Sequence, residues 1–247
     1  MENAEISAKI SDEKQQSAEA LRRHLQTAKM LRQQANADEN SARDRLRLRT
    51  WQAERLARSY AHLLASERYG KAARFFLNDL YGPKDFSSRD EEVERILPML
   101  LAMLPASALH TLALAVELDA LSELLDSAMV VELRTAGCIG NIDESAYAAA
   151  YRSVGQRPER QRQIILMREI GEAVELLAQK SLLSTVLKLM RGPAHLAGLG
   201  ELHEFLENGF NAFRHMGDAT EFLDCIEDKE QKLLKNMFSG ASNPFAS

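Results

Sequence analysis

The stretch ASALHTLALAVELDALSELLDSAMVVELR, residues 106–134, decides the fold. Wound as a helix, it is apolar almost all the way round, which marks a helix buried inside a body rather than laid on its surface. Upstream, the 21 residues between Arg95 and Glu117 carry no formal charge, long enough to imitate a membrane span. Pro98 and Pro105 interrupt that run, and Ser107, His110 and Thr111 place polar atoms at its centre. The reading is two buried helices meeting at 105–107, and a membrane association is not expected.

The rest of the composition agrees. Leu (36) and Ala (34) dominate the 247 residues, whereas Val, Ile and Thr together number 22. Strong helix formers are abundant and strand formers scarce, which excludes a β-sandwich or barrel and disfavours a doubly wound α/β fold. The expected fold class is therefore all-α, a helical bundle of about nine helices around a central buried helix. Two cysteines are too few for a disulfide framework or a cysteine zinc site. The polar N-terminus has no apolar run like that of a signal peptide, so a cytoplasmic location is expected.

Working outward, residues 10–36 carry Ile10, Ala18, Leu21, Leu25, Ala28 and Leu31 at helical steps, and residues 42–67 carry Leu46, Ala53, Leu56, Tyr60 and Leu63 near a heptad spacing. These two helices predict an N-terminal hairpin or coiled-coil arm over 1–69. An all-helical body is expected over 70–240 and a flexible tail over 241–247. Within the body, Tyr81-Gly82-Pro83 reads as a helix stop and Ser88-Arg89-Asp90-Glu91 as a capping box opening a helix that holds Val93. Asp143 reads as a cap, Pro158 as a first-turn proline, Lys180-Ser181 as an interruption, Arg191-Gly192-Pro193 as a restart, and Gly217-Asp218 as the break before a last helix at 219–238.

Charge is unevenly spread. Residues 41–74 carry nine basic and three acidic residues, while residues 75–247 carry 16 basic and 26 acidic. Such a basic segment suits phosphate, anionic lipid or an acidic protein surface; it equally suits the acidic body of its own chain or of a second copy. Nucleic acid is disfavoured, because the acidic body repels phosphate and the arginines lack interleaved stacking aromatics. The favoured function is a non-enzymatic interaction or regulatory protein that engages a protein partner through the arm, with Arg43, Arg47, Trp51, Arg55 and Tyr60 as candidate contacts. Helices with narrow apolar stripes seek a partner, so a homodimer is expected.

No phosphate-binding loop, nucleophile elbow or dinucleotide fingerprint is present, and no cofactor is expected. No histidine has a glutamate three residues before it, as a di-iron bundle would require, and His203 with Glu207 is a lone pair on one helical face. Charges set in apolar runs are more informative. Glu117 or Glu207 is expected to pair with Arg152 or Arg191 and lock the body. Alternatively Glu117, Tyr147, Arg152, Arg191 and Glu207 line a polar pocket, which makes the protein a ligand-binding helical domain.

Three segments, FFLNDLYGPKDFSSRD (75–90), YAAAYRSVGQRPERQRQI (147–164) and MRGPAHLAGLGELHEFLENGFNAF (190–213), carry a resemblance. In them the chain resembles an uncharacterised family of proteobacterial all-helical proteins, over roughly residues 70–235. The resemblance implies a bacterial origin and a helical fold, and it brings no activity, cofactor or catalytic residue.

Overall fold

The computed structural model describes residues 2–80, 95–98, 104–197 and 199–245. Every regular element among them is helical. Helix α1 spans Glu2–Ala35, α2 Glu39–Ser59, α3 Ala61–Ala65 and α4 Gly70–Phe75, which continues into a π-helical turn at Phe76–Leu80. Then follow α5 at Ala106–Thr135, α6 at Glu144–Val154, α7 at Arg157–Ala178, α8 at Ser181–Leu196, α9 at Gly200–Met216 and α10 at Thr220–Ser239. The helix stop expected at 81–83, the capping box at 88–91 and the helix start near Val93 lie outside the described residues.

Helix α5 is the spine. It begins after Pro105 in extended conformation and ends in a Schellman turn: Gly137 adopts φ +70°, Cys138 N–H donates to Leu133 O and Gly137 N–H to Arg134 O, both at 2.9 Å. Helices α1, α2, α6 and α7 all pack on it. The stripe expected on α1 exists: Ala18, Leu21, Leu25, Ala28 and Leu31 are buried. Its cover, however, is α5, where Leu21 meets Leu109 and Ala113. Helices α1 and α2 make little contact with each other, so no projecting hairpin arm is seen among the described residues. The physical reason is that α5 offers both helices a longer complementary face than either offers the other.

Helix α2 differs from its expected register. Leu46, placed on the buried stripe, is 51% exposed, whereas Leu48 is wholly buried with Asp44 and Arg45. The face turned inward carries Arg45, Leu48, Arg49 and Gln52, and electrostatics rather than apolar periodicity selects it. Helix α8 runs through Gly192 and Pro193 instead of restarting there. Pro193 lies in its last turn, where the missing N–H costs one bond, and Ala197 N–H to Pro193 O and Leu199 N–H to Ala194 O close the end. The interruption between α7 and α8 and the break at Gly217-Asp218 fall as expected, with Asp218 accepting from Thr220 N–H at 2.9 Å.

Two cores meet along α7 and α10. One joins Leu118, Met129 and Leu133 of α5 to Tyr147, Tyr151, Ile164, Met167 and Met237. The other is aromatic: Tyr60, Phe75 and Phe76 pack with Phe210, Phe213 and Phe222, drawing on both sides of the boundary expected at residue 70. A Cβ at Gly171 would collide with Leu223, so its absence lets α7 and α10 approach closely. The segment expected as a flexible tail folds back at least to Phe245, which packs its ring against Trp51 and Tyr147 while Asn236 Nδ2 donates to Pro244 O.

Candidate functional site

A seam of charge runs between α1, α2 and α5. Asp119, Glu123 and Asp126 stand four and three residues apart on one face of α5. Arg45, Arg49 and Gln52 repeat that spacing on α2, and Arg32 joins from α1. Glu123 has no solvent exposure. It accepts from Arg32 Nε at 3.0 Å, from Arg49 Nη2 at 2.5 Å and from Arg45 Nη2. Arg32 also donates to Asp119, Arg49 to Asp126 at 3.2 Å, and Gln52 Nε2 to Asp126 at 3.0 Å. Three guanidinium groups thus face three carboxylates. The basic segment read from the sequence is held by the acidic body of its own chain, one of the two homes expected for it.

Behind the seam lies a cavity of about 240 Å³ at the junction of the two cores. Its lining is mixed. Leu63, Phe76, Met129, Ile164, Met167 and Phe222 are apolar. Arg55, Tyr60 and Glu230 form one contacting polar group on it, and Tyr147, Tyr151 and Arg160 another. Arg55 Nη1 donates to Glu230 Oε1 at 3.0 Å, and the Tyr60 hydroxyl donates to the same oxygen at 2.7 Å. Burial pushes the Tyr60 hydroxyl well above the ordinary phenol range, and the Glu230 charge adds to the shift. Burial likewise pushes Tyr151 up, while the Arg160 charge opposes it. Both hydroxyls stay protonated at any physiological pH.

Local backbone places Arg160. Between α6 and α7, Gly155 has φ +66° and Gln156 φ +52°, two successive residues in conformations that L side chains rarely adopt. This tight reversal brings Arg160, in the first turn of α7, back over the end of α6. Its guanidinium carbon sits 3.5 Å from the Tyr151 ring centroid, and Nε donates to Gly155 O at 3.2 Å. Arg160 Nη2 and Arg55 Nε are buried without a hydrogen-bond partner among the described residues.

The five residues expected to form one polar cluster are dispersed. Glu117 pairs with Arg162 through two bonds of 2.8 and 3.1 Å, not with Arg152, which is exposed. Arg191 does pair with Glu207, at 2.6 and 3.2 Å, but its side chain is 62% exposed, so the contact belongs to the surface. Only Tyr147 lies on the cavity. Among the arm candidates, Arg43 and Arg47 remain exposed, and Trp51 stacks on Tyr147 at 4.2 Å. Arg55 and Tyr60 face the cavity.

Sequence reading missed Glu123, Arg160 and Glu230. Glu123 was legible in principle, because the 119/123/126 and 45/49/52 spacings match; Arg160 was not, because its burial depends on the reversal at 155–156. Elsewhere, His203 Nε2 lies 2.8 Å from Leu187 O, and no group of three potential metal ligands exists among the described residues. Cys225 Sγ sits 3.4 Å from His62 Nε2, but burial pushes the thiol up, the reverse of activation. No described helix is long and apolar enough to cross a membrane.

A family model described as a domain of unknown function, DUF8198, matches residues 31–244, which takes in the charged seam and every cavity residue named above. No curated protein and no solved structure matches the chain.

Proposed function

We propose that this chain, which belongs to the family of DUF8198 domains, binds a small amphipathic molecule in its central cavity. The observation that carries this reading is the mixed lining of the cavity, largely apolar with a cluster of tyrosines and arginines among it. Small-molecule sites are typically apolar enclosures with a few convergent polar groups that fix orientation. The carboxylates of the polar wall are committed to arginines, so the reading is of a binding protein rather than an enzyme. Native mass spectrometry of the full chain is the test. A retained or added amphipathic molecule is expected, and its loss in Ala73→Leu, which fills the cavity from its wall, is the matching control. Binding unaffected by Ala73→Leu, or no binding by any amphipathic probe, overturns the reading.

A second reading, contact with a protein partner or a second copy, is supported by apolar side chains left in solvent. Leu196 is 93% exposed and Leu189 72%, both on α8, and Arg43 and Arg47 are accessible on α2. Light scattering before and after Leu189→Ser with Leu196→Ser separates this from the cavity reading: a wild-type dimer that the double variant dissociates supports it.

A further inference from the structure

Resting on the cavity reading above, we propose that the ligand is a small organic monoanion, a monocarboxylate with an apolar tail, whose head group is held by Arg160. Arg160 is 6% exposed and lines the cavity. Its contacts are a backbone carbonyl and Tyr151, through the ring face and a side-chain hydrogen bond; no carboxylate pairs with it among the described residues, and its Nη2 is left without a partner. A buried guanidinium without a counter-charge is unfavourable, and an anion supplied from outside the chain relieves it.

The other charges on the cavity wall are accounted for. Arg32 and Arg49 are tied to Asp119, Glu123 and Asp126, and Arg55 is tied to Glu230. Glu230 therefore brings no free repulsion, because its oxygen is shared by Arg55 and the Tyr60 hydroxyl. What remains at the polar end, among the described residues, is one positive charge, that of Arg160, with no carboxylate paired to it. A monoanion neutralises it, a dianion overcharges it, and an amine meets two guanidinium groups. Arg55 Nε is a second buried donor without a partner on the same cavity. The two arginines are linked through the tyrosines: Arg160 over Tyr151, Tyr151 with its ring 6.1 Å from Tyr147, and Tyr147 close enough to act electrostatically on Arg55. A planar carboxylate has two oxygens to accept from such donors.

Volume sets the size. The cavity of about 240 Å³ is many times the ~10–15 Å³ that a single water needs, room for a small organic molecule. With the head at Arg160, the tail lies against Phe76, Ile164, Met167 and Phe222, all buried and apolar. Octanoate has these proportions.

The test is titration calorimetry of the full chain with octanoate, 1-octanol and octylamine, which share a tail and differ in head-group charge. Octanoate is expected to bind at least tenfold more tightly than either of the others. In Arg160→Met, which keeps length and removes charge, octanoate affinity is expected to fall at least tenfold while 1-octanol is unchanged. Equal binding of octanoate and 1-octanol overturns the anion assignment but leaves the cavity reading standing, and so does preferential binding of octylamine. Octanoate selectivity in the wild type with undiminished affinity in Arg160→Met, its fold verified by circular dichroism, moves the head group elsewhere and overturns the role of Arg160. Failure of all three probes to bind overturns the assignment too, and the mass spectrometric test then decides whether the cavity reading falls with it.

Discussion

The seam between α2 and α5 and the polar end of the cavity are built from the same residue types, arginine and carboxylate, and they share α2, which brings Arg45 and Arg49 to the one and Arg55 to the other. In the seam every charge has its opposite: Glu123 alone takes three guanidinium groups, and Asp119 and Asp126 complete the set. At the cavity the pairing stops one short, and Arg160 is stacked on a tyrosine. The difference separates charge whose partner the fold supplies from charge whose partner it does not. On the reading proposed above, the first serves assembly and the second recognition.

Breaking the closed network should cause the largest effect. Glu123→Gln keeps the side chain's shape but removes, at a position with no solvent exposure, the carboxylate that all three guanidinium groups share. Removing one partner of a buried ion pair typically costs about 3–5 kcal/mol, because the remaining charge is neither solvated nor paired. Urea denaturation should show a loss of that size. A loss below about 1 kcal/mol would mean that water reaches the seam and screens it.

The next effect is alkaline. Tyr60 and Tyr151 are held protonated above their unfolded pKa of about 10, so the unfolded chain releases their protons first as pH rises. Their contribution is intact below pH ~10 and declines above it, by roughly 1.4 kcal/mol per group per pH unit. By pH 11 the urea midpoint should fall by an amount equivalent to roughly 2–3 kcal/mol. Ultraviolet titration should find that Tyr60 and Tyr151 ionise only on unfolding.

These two regions also mark what the sequence made legible. Helical class, the central helix and the stripe of Ala18, Leu21, Leu25 and Ala28 follow from periodicity, and the structure keeps them. Periodicity placed Leu46 inward and the structure turned it out, because an apolar moment weighs Leu against Arg, while the acidic face of α5 rewards burying Arg45 and Arg49. The stripe on α1 could be found from sequence, but its cover could not: a helix announces that it needs a partner without saying which. Arg191 with Glu207 was among the pairings suggested by charges set in apolar runs, but the arginine stands in solvent rather than locking the body from within. Arg160 needed the left-handed turn at Gly155 and Gln156, which no hydrophobic pattern announces.

Opening the cavity end further should cost little in the absence of ligand. Arg160→Met gives up the contact with the Tyr151 ring, worth about 0.5–2 kcal/mol, and at the same time removes a buried charge that lacks a counter-ion. The two changes oppose, so the expected stability change is within about 1 kcal/mol, well below that of Glu123→Gln. Equal losses in the two variants would show that Arg160 is as structural as the seam and would erase the contrast between the regions.

The smallest effect belongs to a pair that looks like the seam on paper. Arg191 and Glu207 make two bonds, of 2.6 and 3.2 Å, yet the arginine side chain stands 62% exposed. In water the Coulomb gain is small, two long side chains must be held in one geometry, and exposed pairs are worth about 0.2–1 kcal/mol. Arg191→Ala should therefore cost less than about 1 kcal/mol. Salt separates the cases more sharply than the magnitude does. Raising ionic strength to about 1 M shortens the screening length to ~3 Å and should erase most of the Arg191 effect. The cost of Glu123→Gln should persist, because mobile ions cannot enter a site with no solvent exposure. A salt-sensitive Glu123→Gln penalty would place the seam among surface pairs, and bond lengths alone would then have misled about which charges hold the bundle together.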